Sequence, residues 1–383
     1  MRHYSGRFPY FFSVAMNRFL RSASAALFKL TVMLASCYLL AAQALAAPPV
    51  LSAVVPGRTL AFPRDFGAHP DYRTEWWYVT GWLETPDSKP LGFQVTFFRS
   101  ATDHDAANPS NFAPKQLIIA HAALSDPALG KLLHDQKSAR QGFDLAYARQ
   151  GDTDVRLGEW IFKRQENGTY RTEINAREFS FSLSLQPSQP VMLQGDKGFS
   201  RKGPSREQAS YYYSEPHLKV SGSVQRNGKP VQVTGTAWLD HEWSTSVLDQ
   251  NAAGWDWVGA NLDDGSALMA FRIRGKDGGM LWAHAAVRDR NGKVNHIPPE
   301  QIRFIPRRNW RSARTGASYP VAMRIEAGSS VWELEPLQDD QELDSRQSTG
   351  SVYWEGAVTL TRDGQRVGRG YLELTGYLKP MKL

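Results

Sequence analysis

The chain has 383 residues and a formal net charge of +7, from 45 Lys and Arg against 38 Asp and Glu. Five of the basic residues and none of the acidic ones lie in the first 46 positions, so the remainder is nearly neutral, with 40 basic against 38 acidic side chains. This balance excludes a protein that binds nucleic acid through a basic surface. The single cysteine excludes an intrachain disulfide and a cysteine metal site.

Residues 1–46 have the pattern of a secretory signal peptide. An apolar run begins after Lys29 and ends on Ala44-Leu45-Ala46, and it is short for a membrane span. We therefore expect cleavage near Ala46, a periplasmic or secreted protein, and no transmembrane span in the mature chain. An alternative interpretation treats residues 34–37 as a lipobox, with Cys37 lipidated as the first mature residue.

The mature part alternates apolar and polar residues with a period of two, which indicates β-strands. Residues 179–185 alternate strictly, and residues 169–176, 220–224 and 352–360 show strand patterns as well. Asn-Gly or Asp-Gly pairs at 167-168, 227-228, 264-265, 291-292 and 363-364 predict hairpin turns. The sequence therefore predicts an all-β, antiparallel protein.

The chain also contains an internal sequence repeat. Residues 120–126 (Ala-His-Ala-Ala-Leu-Ser-Asp) reappear as residues 283–289 (Ala-His-Ala-Ala-Val-Arg-Asp), and a Trp-rich strand precedes each copy. We expect a first domain over 60–239 and a second over 240–383. Each is expected to be a lipocalin-like barrel, and the two to pack through a seam. A pair of β-sandwiches is the alternative.

Residues 240–257, at this seam, combine acids, a histidine and indoles. Strand alternation places Asp240 and Glu242 on one face and His241 and Trp243 on the other, which disfavours a metal site made from these residues alone. The metalloprotease motif H-E-x-x-H fails because Thr245 stands at its second His position. Nucleotide and dinucleotide loops and the G-x-S-x-G elbow are also missing from the sequence, so no cofactor and no metal are predicted.

Acid/base chemistry in an aromatic enclosure remains, since burial beside indole rings shifts the pKa of a histidine or a carboxylate. The candidate catalytic residues are His241, Asp240, Glu242, Asp256 and Glu75. The candidate ligand-binding residues are Trp77, Tyr78, Trp243, Trp255, Trp257, His217, Trp354 and Glu355. Glu75, if buried, needs a partner, for which Arg99, Arg73 and the seam residues are candidates. The alternative is a purely structural role, and for the repeated His121 and His284 a shared structural role is expected.

Several long motifs carry a resemblance to a known family. They are Phe62-Pro63-Arg64-Asp65, Gly67-Ala68-His69-Pro70, residues 75–81, residues 237–244, residues 254–257, residues 353–356 and residues 373–377. Together they resemble the AttH-like "predicted secreted hydrolase" branch of the carotenoid 1,2-hydratase superfamily, over nearly the whole mature chain.

This resemblance implies tandem lipocalin-like barrels, apolar polyene-like substrates, and an ABC-type permease as a partner. It also implies that His241 and Trp243 match the His-x-Trp of the hydratases. The following strand reads Met-Ala-Phe-Arg-Ile over residues 269–273, with Phe and Arg where the hydratases carry Tyr and an acid. The resemblance therefore does not extend to carotenoid hydration itself.

These observations predict an exported protein that binds an apolar or amphipathic small molecule at the seam. Its expected activity is that of a hydratase, isomerase or hydrolase, with His241 as base or proton shuttle. The alternative is a non-catalytic carrier or an accessory protein of an envelope ABC transporter.

Overall fold

The structure of the chain is a computed structural model. It describes Lys29, Thr31, Met33 and residues 50–381 apart from Ala106 and Asn227. Residues 50–103 and 109–383 form one compact unit, which contains every strand below. The predicted signal peptide, its cleavage site near Ala46 and the alternative lipidation site Cys37 lie outside the described residues.

The first sheet has thirteen strands within the described residues. They are β1 (Thr74–Glu84), β2 (Pro90–Ala101), β3 (Gln116–Asp126), β4 (Lys131–Arg140), β5 (Ala146–Ala148), β6 (Asp154–Leu157), β7 (Trp160–Arg164), β8 (Tyr170–Asn175), β9 (Phe179–Gln186), β10 (Met192–Leu193), β11 (Phe199–Arg201), β12 (Ala209–Arg226) and β13 (Val231–Ser246). Their order is β4-β3-β2-β1-β13-β12-β9-β8-β7-β6-β5, with β10 and β11 paired to β12. Because β6 returns to pack near β3 and β4, the sheet curls into a nearly closed barrel.

The second sheet has ten strands in the same described part of the chain. They are β14 (Ala252–Leu262), β15 (Ala267–Gly275), β16 (Met280–Arg288), β17 (Val294–Ile297), β18 (Ile302–Arg311), β19 (Ser318–Ala327), β20 (Ser330–Pro336), β21 (Glu342–Ser345), β22 (Ser351–Arg362) and β23 (Gln365–Leu374). Their order is β17-β16-β15-β14-β23-β22-β20-β19-β18, with β21 paired to β22. Two 3-10 helices, Arg64–Phe66 and Pro299–Gln301, are short connections.

The two sheets repeat one strand order, which confirms the tandem architecture predicted from the sequence. The run β4-β3-β2-β1-β13-β12 of the first sheet corresponds to β17-β16-β15-β14-β23-β22 of the second. The repeated Ala-His-Ala-Ala segments lie in the corresponding strands β3 and β16. The fold is all-β and antiparallel, with two lipocalin-like barrels rather than two sandwiches.

The strongest local patterns formed the expected elements. Predicted strands 169–176 and 179–185 are β8 and β9, and residues 220–224 and 352–360 lie inside β12 and β22. The turns at 167-168, 264-265, 291-292 and 363-364 each join neighbouring antiparallel strands. The turn at 227-228 includes Asn227, which is outside the described residues.

The predicted domain boundary between residues 239 and 240 remains a prediction. Strand β13 continues through that position to Ser246 and stays in the first sheet. The second sheet begins with β14 at Ala252. Sheet membership therefore changes between residues 246 and 252, which places 240–243 in the first sheet.

Three apolar cores result from the alternation of side chains along the strands. One fills the first barrel, a second fills the second barrel, and a third, which we call the seam core, lies between the two sheets. The seam core includes Tyr78, Trp82 and Trp238 from the first sheet and Trp257 and Phe271 from the second. In the described part of the chain, the search for a helix of sufficient length and hydropathy to cross a membrane finds none.

Candidate functional site

The two sheets enclose a cavity of about 120 Å³ beside the seam core, which we call the seam pocket. Most of its wall is apolar, with Trp76, Phe98, Trp257, Phe271 and Ile273 among the lining side chains. An apolar cavity of about 150 Å³ is large enough to bind benzene. The seam pocket therefore has room for one ring or a short branched hydrocarbon segment.

Strand alternation explains why this wall forms. Successive side chains of a strand point to opposite faces of the sheet. On β1, Trp76 and Tyr78 face the seam while Trp77 packs inside the first barrel. On β14, Trp255 and Trp257 line the pocket while Val258 belongs to the core of the second barrel. Each Trp-rich strand thus supplies both a barrel core and the pocket.

Two glutamates from the second sheet meet in this pocket. Glu355 on β22 and Glu373 on β23 are direct cross-strand neighbours, with Glu355 almost completely buried and Glu373 half-buried. The Tyr78 hydroxyl donates to Glu355 Oε2 at 2.9 Å, and the Trp255 indole N–H donates to Glu373 Oε2 at 2.8 Å. Glu355 Oε1 is buried without a hydrogen-bond partner.

Burial, reinforced by the mutual repulsion of the two carboxylates, raises the pKa of Glu355 well above its ordinary value and also raises the pKa of Glu373. Two carboxyl groups that face each other across neighbouring strands repel when both ionise, so they titrate as a pair. The raised pKa values favour a proton shared within this pair. A protonated carboxyl group in an apolar enclosure is suited to act as a general acid.

Asp240 lies on the seam face of β13, behind the pocket wall. It accepts hydrogen bonds from the Tyr212 hydroxyl at 2.6 Å, the Ser214 hydroxyl at 2.5 Å and the Trp238 indole N–H at 2.6 Å. Burial raises the pKa of Asp240 to about 7, against the opposing effect of these three donors. Asp240 supports the wall but does not line the pocket.

Glu242 does line the pocket, and its charge is balanced there. Lys202 Nζ lies 2.9 Å from Glu242 Oε1, and both side chains are almost completely buried. The same ammonium group lies 4.2 Å from the centre of the Phe271 ring. This ion pair is a polar boundary of an otherwise aromatic space.

His241 and Glu75 lie on the opposite face of their strands, inside the first barrel. Glu75 Oε1 is 2.8 Å from His241 Nε2 and 2.7 Å from His69 Nδ1, and Arg99 Nε donates to Glu75 Oε2 at 2.8 Å. Of the partners predicted for Glu75, Arg99 and His241 of the stretch 240–257 are therefore observed, whereas Arg73 pairs with Asp103. We call Glu75, His69, His241 and Arg99 the barrel network.

The protonation of this network follows from its contacts. Burial opposes the charge of Glu75, but His69, His241 and Arg99 together hold its pKa well below the ordinary range. Burial also opposes the charge of His69, yet Glu75 and Asp65 raise the pKa of that ring. Burial lowers the pKa of His241 to about 4, although its hydrogen bond with Glu75 opposes the shift. The contacts therefore favour an ionised Glu75 and a neutral His241, and they favour the protonated form of His69 relative to a free imidazole.

The network also contains the only metal-suited group found among the described residues. His69 Nδ1, Glu75 Oε1 and His241 Nε2 lie within 4.8 Å of one another, and these are residue types that zinc accepts. The three atoms hydrogen-bond to one another, and Arg99 neutralises the carboxylate. Binding an ion would require His69 to lose its proton and both contacts to lengthen.

Two predicted aromatic contacts belong to this network rather than to the pocket. Trp243 stacks on the His69 ring with 3.7 Å between centroids, and Trp77 stacks on His241 at 4.6 Å. Both indoles are completely buried inside the first barrel. They hold the imidazole rings in place and do not reach the seam.

Asp256 lies in the second barrel, paired with Arg272 across β14 and β15. Arg272 Nε donates to Asp256 at 2.6 Å. The strand pairings around the repeated histidines align Asp256 with Trp77, so this pair is not the counterpart of Glu75 and Arg99. The residue that replaces the expected hydratase acid thus binds the buried Asp256, which favours a structural role for Asp256.

The remaining two candidates also lie away from the pocket. Trp354 is buried in the core of the second barrel and donates to the Asp339 carbonyl at 2.8 Å. His217, at a bulge in β12, has Nε2 2.8 Å from the Ser266 carbonyl and joins the two sheets elsewhere. Of the predicted residues, the structure brings Glu242, Tyr78, Trp255, Trp257 and Glu355 together in the seam pocket.

Sequence reasoning missed most of the other side chains of the pocket, among them Glu373, Lys202 and Phe271. Glu373 had a usable signal, since a glutamate between Leu372 and Leu374 in a strand must face away from the barrel core. Lys202 precedes β12 in an irregular segment, where no periodicity locates it.

Solved structures share this architecture. A candidate AttH from Nitrosomonas europaea is 66% identical, with 85% of this chain and 100% of that chain covered and a TM-score of 0.81. Kievitone hydratase from Nectria haematococca is 14% identical, with coverage of 86% and 97% and a TM-score of 0.64. CghA, solved with Sch210972, is 15% identical, with coverage of 87% and 98% and a TM-score of 0.52. At such low identity the last two show a shared fold.

No similar sequence was found among curated proteins. The family model of the AttH-like proteins, in contrast, matches residues 53–377, which include every strand of both barrels. The resemblance noted in the motifs is thereby confirmed, and the chain belongs to the AttH-like family.

Proposed function

We propose that this protein binds an apolar or amphipathic small molecule in the seam pocket and acts on it by acid/base chemistry, with Glu355 as the proton donor. The observation that carries the proposal is the unpartnered Oε1 of a buried, protonated Glu355 in a pocket with aromatic walls. The reaction class that fits best is hydration or isomerisation of a carbon-carbon double bond.

The chemistry follows from the groups in the pocket. Glu355 adds its proton to one carbon of a double bond, which leaves a positive charge on the other carbon. The Trp257 indole and the Tyr78 ring, which meet edge to face at 5.3 Å, line the space where that charge forms. Aromatic faces stabilise cations. Water then attacks the cation and returns a proton to the Glu355 and Glu373 pair, or a neighbouring carbon loses a proton and the double bond moves.

Glu355 thus takes the central acid/base role that the sequence suggested for His241 as base or proton shuttle. His241 is neutral, completely buried and separated from the pocket by the sheet itself, because it points into the first barrel. Glu355, predicted only as a ligand contact, has the raised pKa, the exposure to the cavity and the free oxygen that a general acid requires.

An elongated ligand fits the surroundings of the pocket. A wider cleft of about 1010 Å³ shares Trp255 and Glu373 with the seam pocket and reaches Arg73 and Lys276. A ligand with its apolar end in the seam pocket and its polar end in the cleft would match this change from an apolar to a charged lining. That arrangement favours an amphipathic molecule over a compact apolar one.

A filling substitution tests the binding site. Thr74 lines both spaces at the start of β1, and Thr74→Trp places an indole in them. We expect N-phenyl-1-naphthylamine, a neutral apolar fluorophore, to bind the wild type and to bind this variant at least tenfold more weakly. Thr234→Trp, at an exposed strand position on β13, is the matched control. Equal affinity in the wild type and Thr74→Trp would overturn the proposal.

The second candidate function is a non-catalytic carrier, favoured by the same enclosed pocket. Incubation of the protein with its co-purified small molecules in ¹⁸O-labelled water separates hydration from carriage. A hydratase incorporates the label, and Glu355→Gln abolishes incorporation while the molecules stay bound. A carrier incorporates none in either form.

We also propose that the mature protein acts outside the cytoplasm. The support is the sequence of the leader, and the intact mass of the exported form tests it, with a start at Ala47 expected. A lipid-modified N-terminus at Cys37 would favour the alternative. The ABC-type permease partner, suggested by the family resemblance, remains a prediction.

A further inference from the structure

We propose that Tyr353, His121 and Ser348 form a proton relay that connects Glu355 in the seam pocket with solvent. The inference rests on the proposed role of Glu355 as proton donor and adds the route by which its proton is exchanged. It gives a function to one of the two repeated histidines.

The relay crosses from one barrel to the other. His121, on β3 of the first barrel, has Nδ1 2.8 Å from the Tyr353 hydroxyl on β22 of the second. Its Nε2 is 2.8 Å from the Ser348 hydroxyl, which in turn donates to Gln136 Oε1 at 2.6 Å. His121 is completely buried, whereas Ser348 is half-buried in a turn whose other residues are exposed.

The inner end of the relay reaches the proposed acid. Tyr353 and Glu355 are two positions apart on β22, so both side chains point to the seam, and both line the pocket. Burial and the neighbouring Glu355 carboxyl group raise the pKa of the Tyr353 hydroxyl well above its ordinary value. Because Glu355 Oε1 has no partner, that oxygen can accept a proton from the tyrosine side.

His121 is suited to the middle position. Burial lowers the pKa of His121 to about 3, helped by the nearby His134, so the ring is neutral. A neutral imidazole carries one N–H donor and one bare acceptor nitrogen. With a hydroxyl group on each side, the ring can accept a proton at one nitrogen and release one from the other without becoming an isolated buried cation.

The transfer balances without another reactant. Because Ser348 donates to Gln136, its oxygen accepts from His121 Nε2–H, and the bare Nδ1 accepts from the Tyr353 hydroxyl. Glu355 passes its proton to the Tyr353 oxygen while Tyr353 gives its own proton to His121 Nδ1. His121 then releases its Nε2 proton to Ser348, which passes its hydroxyl proton to water. The same steps in reverse bring a solvent proton to Glu355 and return His121 to its first tautomer.

The second copy supplies a natural comparison. His284 occupies the same position in the Ala-His-Ala-Ala repeat, but its Nε2 has no hydrogen-bond partner and its ring lies 5.4 Å from that of His296. It does not line the seam pocket. The repeat position therefore tolerates a histidine without two hydroxyl partners, so the shared structural role expected from the sequence does not explain the His121 contacts.

Hydrogen-deuterium exchange of the Glu355 carboxyl group tests the relay without any ligand. The infrared C=O band of Glu355 is identified by its loss in Glu355→Gln, and its shift after transfer to deuterated water gives the exchange rate. We expect His121→Gln to slow the exchange at least tenfold. The near-isosteric Tyr353→Phe, which keeps the ring packing, should slow it as much, while the matched control His284→Gln leaves it unchanged.

If His121 and Tyr353 had a purely structural role, their substitution would change the exchange rate in the opposite direction. Loss of a buried hydrogen bond loosens the packing, and a looser pocket exchanges faster. An unchanged or faster rate in both His121→Gln and Tyr353→Phe would overturn the relay. Titration of the wild type with N-phenyl-1-naphthylamine is scored separately, so a failure of ligand binding is distinguished from a failure of the relay.

Discussion

Asp240 shows how a burial effect on one residue becomes a measurable property of the protein. Its carboxyl group has three hydrogen-bond donors, but burial dominates and raises the pKa to about 7 from an ordinary value of 3.8. Between these two pH values the folded protein keeps a proton that the unfolded chain has lost. The stability contributed by Asp240 therefore falls as the pH rises through this window.

Asp240→Asn should remove that dependence, since an amide does not titrate. We expect the difference in unfolding free energy, wild type minus variant, to decrease from about pH 4 to about pH 7, by at most about 1.4 kcal/mol per pH unit. Above pH 7 the difference should become constant. Urea denaturation at a series of pH values measures it, and a difference that is constant or rises across the window would contradict the assignment.

The sequence predicted the position of the site more accurately than the identity of the residue that donates the proton. The alternation of Asp240 and Glu242 against His241 and Trp243 was predictable, because it depends only on strand geometry. The partners of each face were not predictable, since Glu75 and His69 lie more than 160 residues before His241. The raised pKa of Glu355 likewise depends on Glu373, a neighbour created by the pairing of β22 and β23.

Strands β1 and β13 each lie between two environments, with the seam on one face of the sheet and the interior of the first barrel on the other. Trp76 and Glu242 are paired on the seam face, and Trp77 and His241 are paired on the barrel face. Seam-face substitutions should therefore change binding, and barrel-face substitutions should change stability. Residues 240–243 look like one motif in the sequence, but their alternate side chains belong to two separate sites, the seam pocket and the barrel network.

Substitution on each face of this pair tests the separation. His241→Ala removes a hydrogen bond to the buried Glu75 and should cost about 2 to 4 kcal/mol of stability, with unchanged affinity for N-phenyl-1-naphthylamine. Trp76→Ala removes pocket wall and should weaken that affinity about tenfold, because an indole contact is worth at least about 1.4 kcal/mol. Chemical denaturation and fluorescence titration measure the two effects. Weaker probe binding in a stable His241→Ala would return His241 to the binding site.

The elements themselves were largely predictable, and the reason is local. Hairpin turns with Asn-Gly or Asp-Gly fix strand ends, and alternation fixes which face is apolar. Strand β13 extends past the boundary expected from the repeat, because its pairing with β1 continues to Ser244. That pairing joins segments about 170 residues apart, and no local sequence pattern indicates it.

The whole molecule is a duplicated barrel whose two copies have diverged. Both contain an acid-arginine pair between the corresponding strands but at different positions of the repeat, Glu75 with Arg99 and Asp256 with Arg272. Only the first copy adds the histidines of the barrel network, and only the second supplies the paired glutamates of the pocket. The site exists because the two copies face each other, with indole N–H groups such as that of Trp82, bonded to the Gly370 carbonyl, fixing the seam.

The measurement that tests the seam binding site most directly is a crystal structure of the protein grown with bromobenzene, in which anomalous scattering locates the bromine. The account predicts one bromine position between the two sheets, among Trp76, Trp257 and Phe271 and within reach of Glu355. The peak should disappear in Thr74→Trp. Bromine inside the first barrel beside His241, or only on the outer surface, would contradict a binding site at the seam.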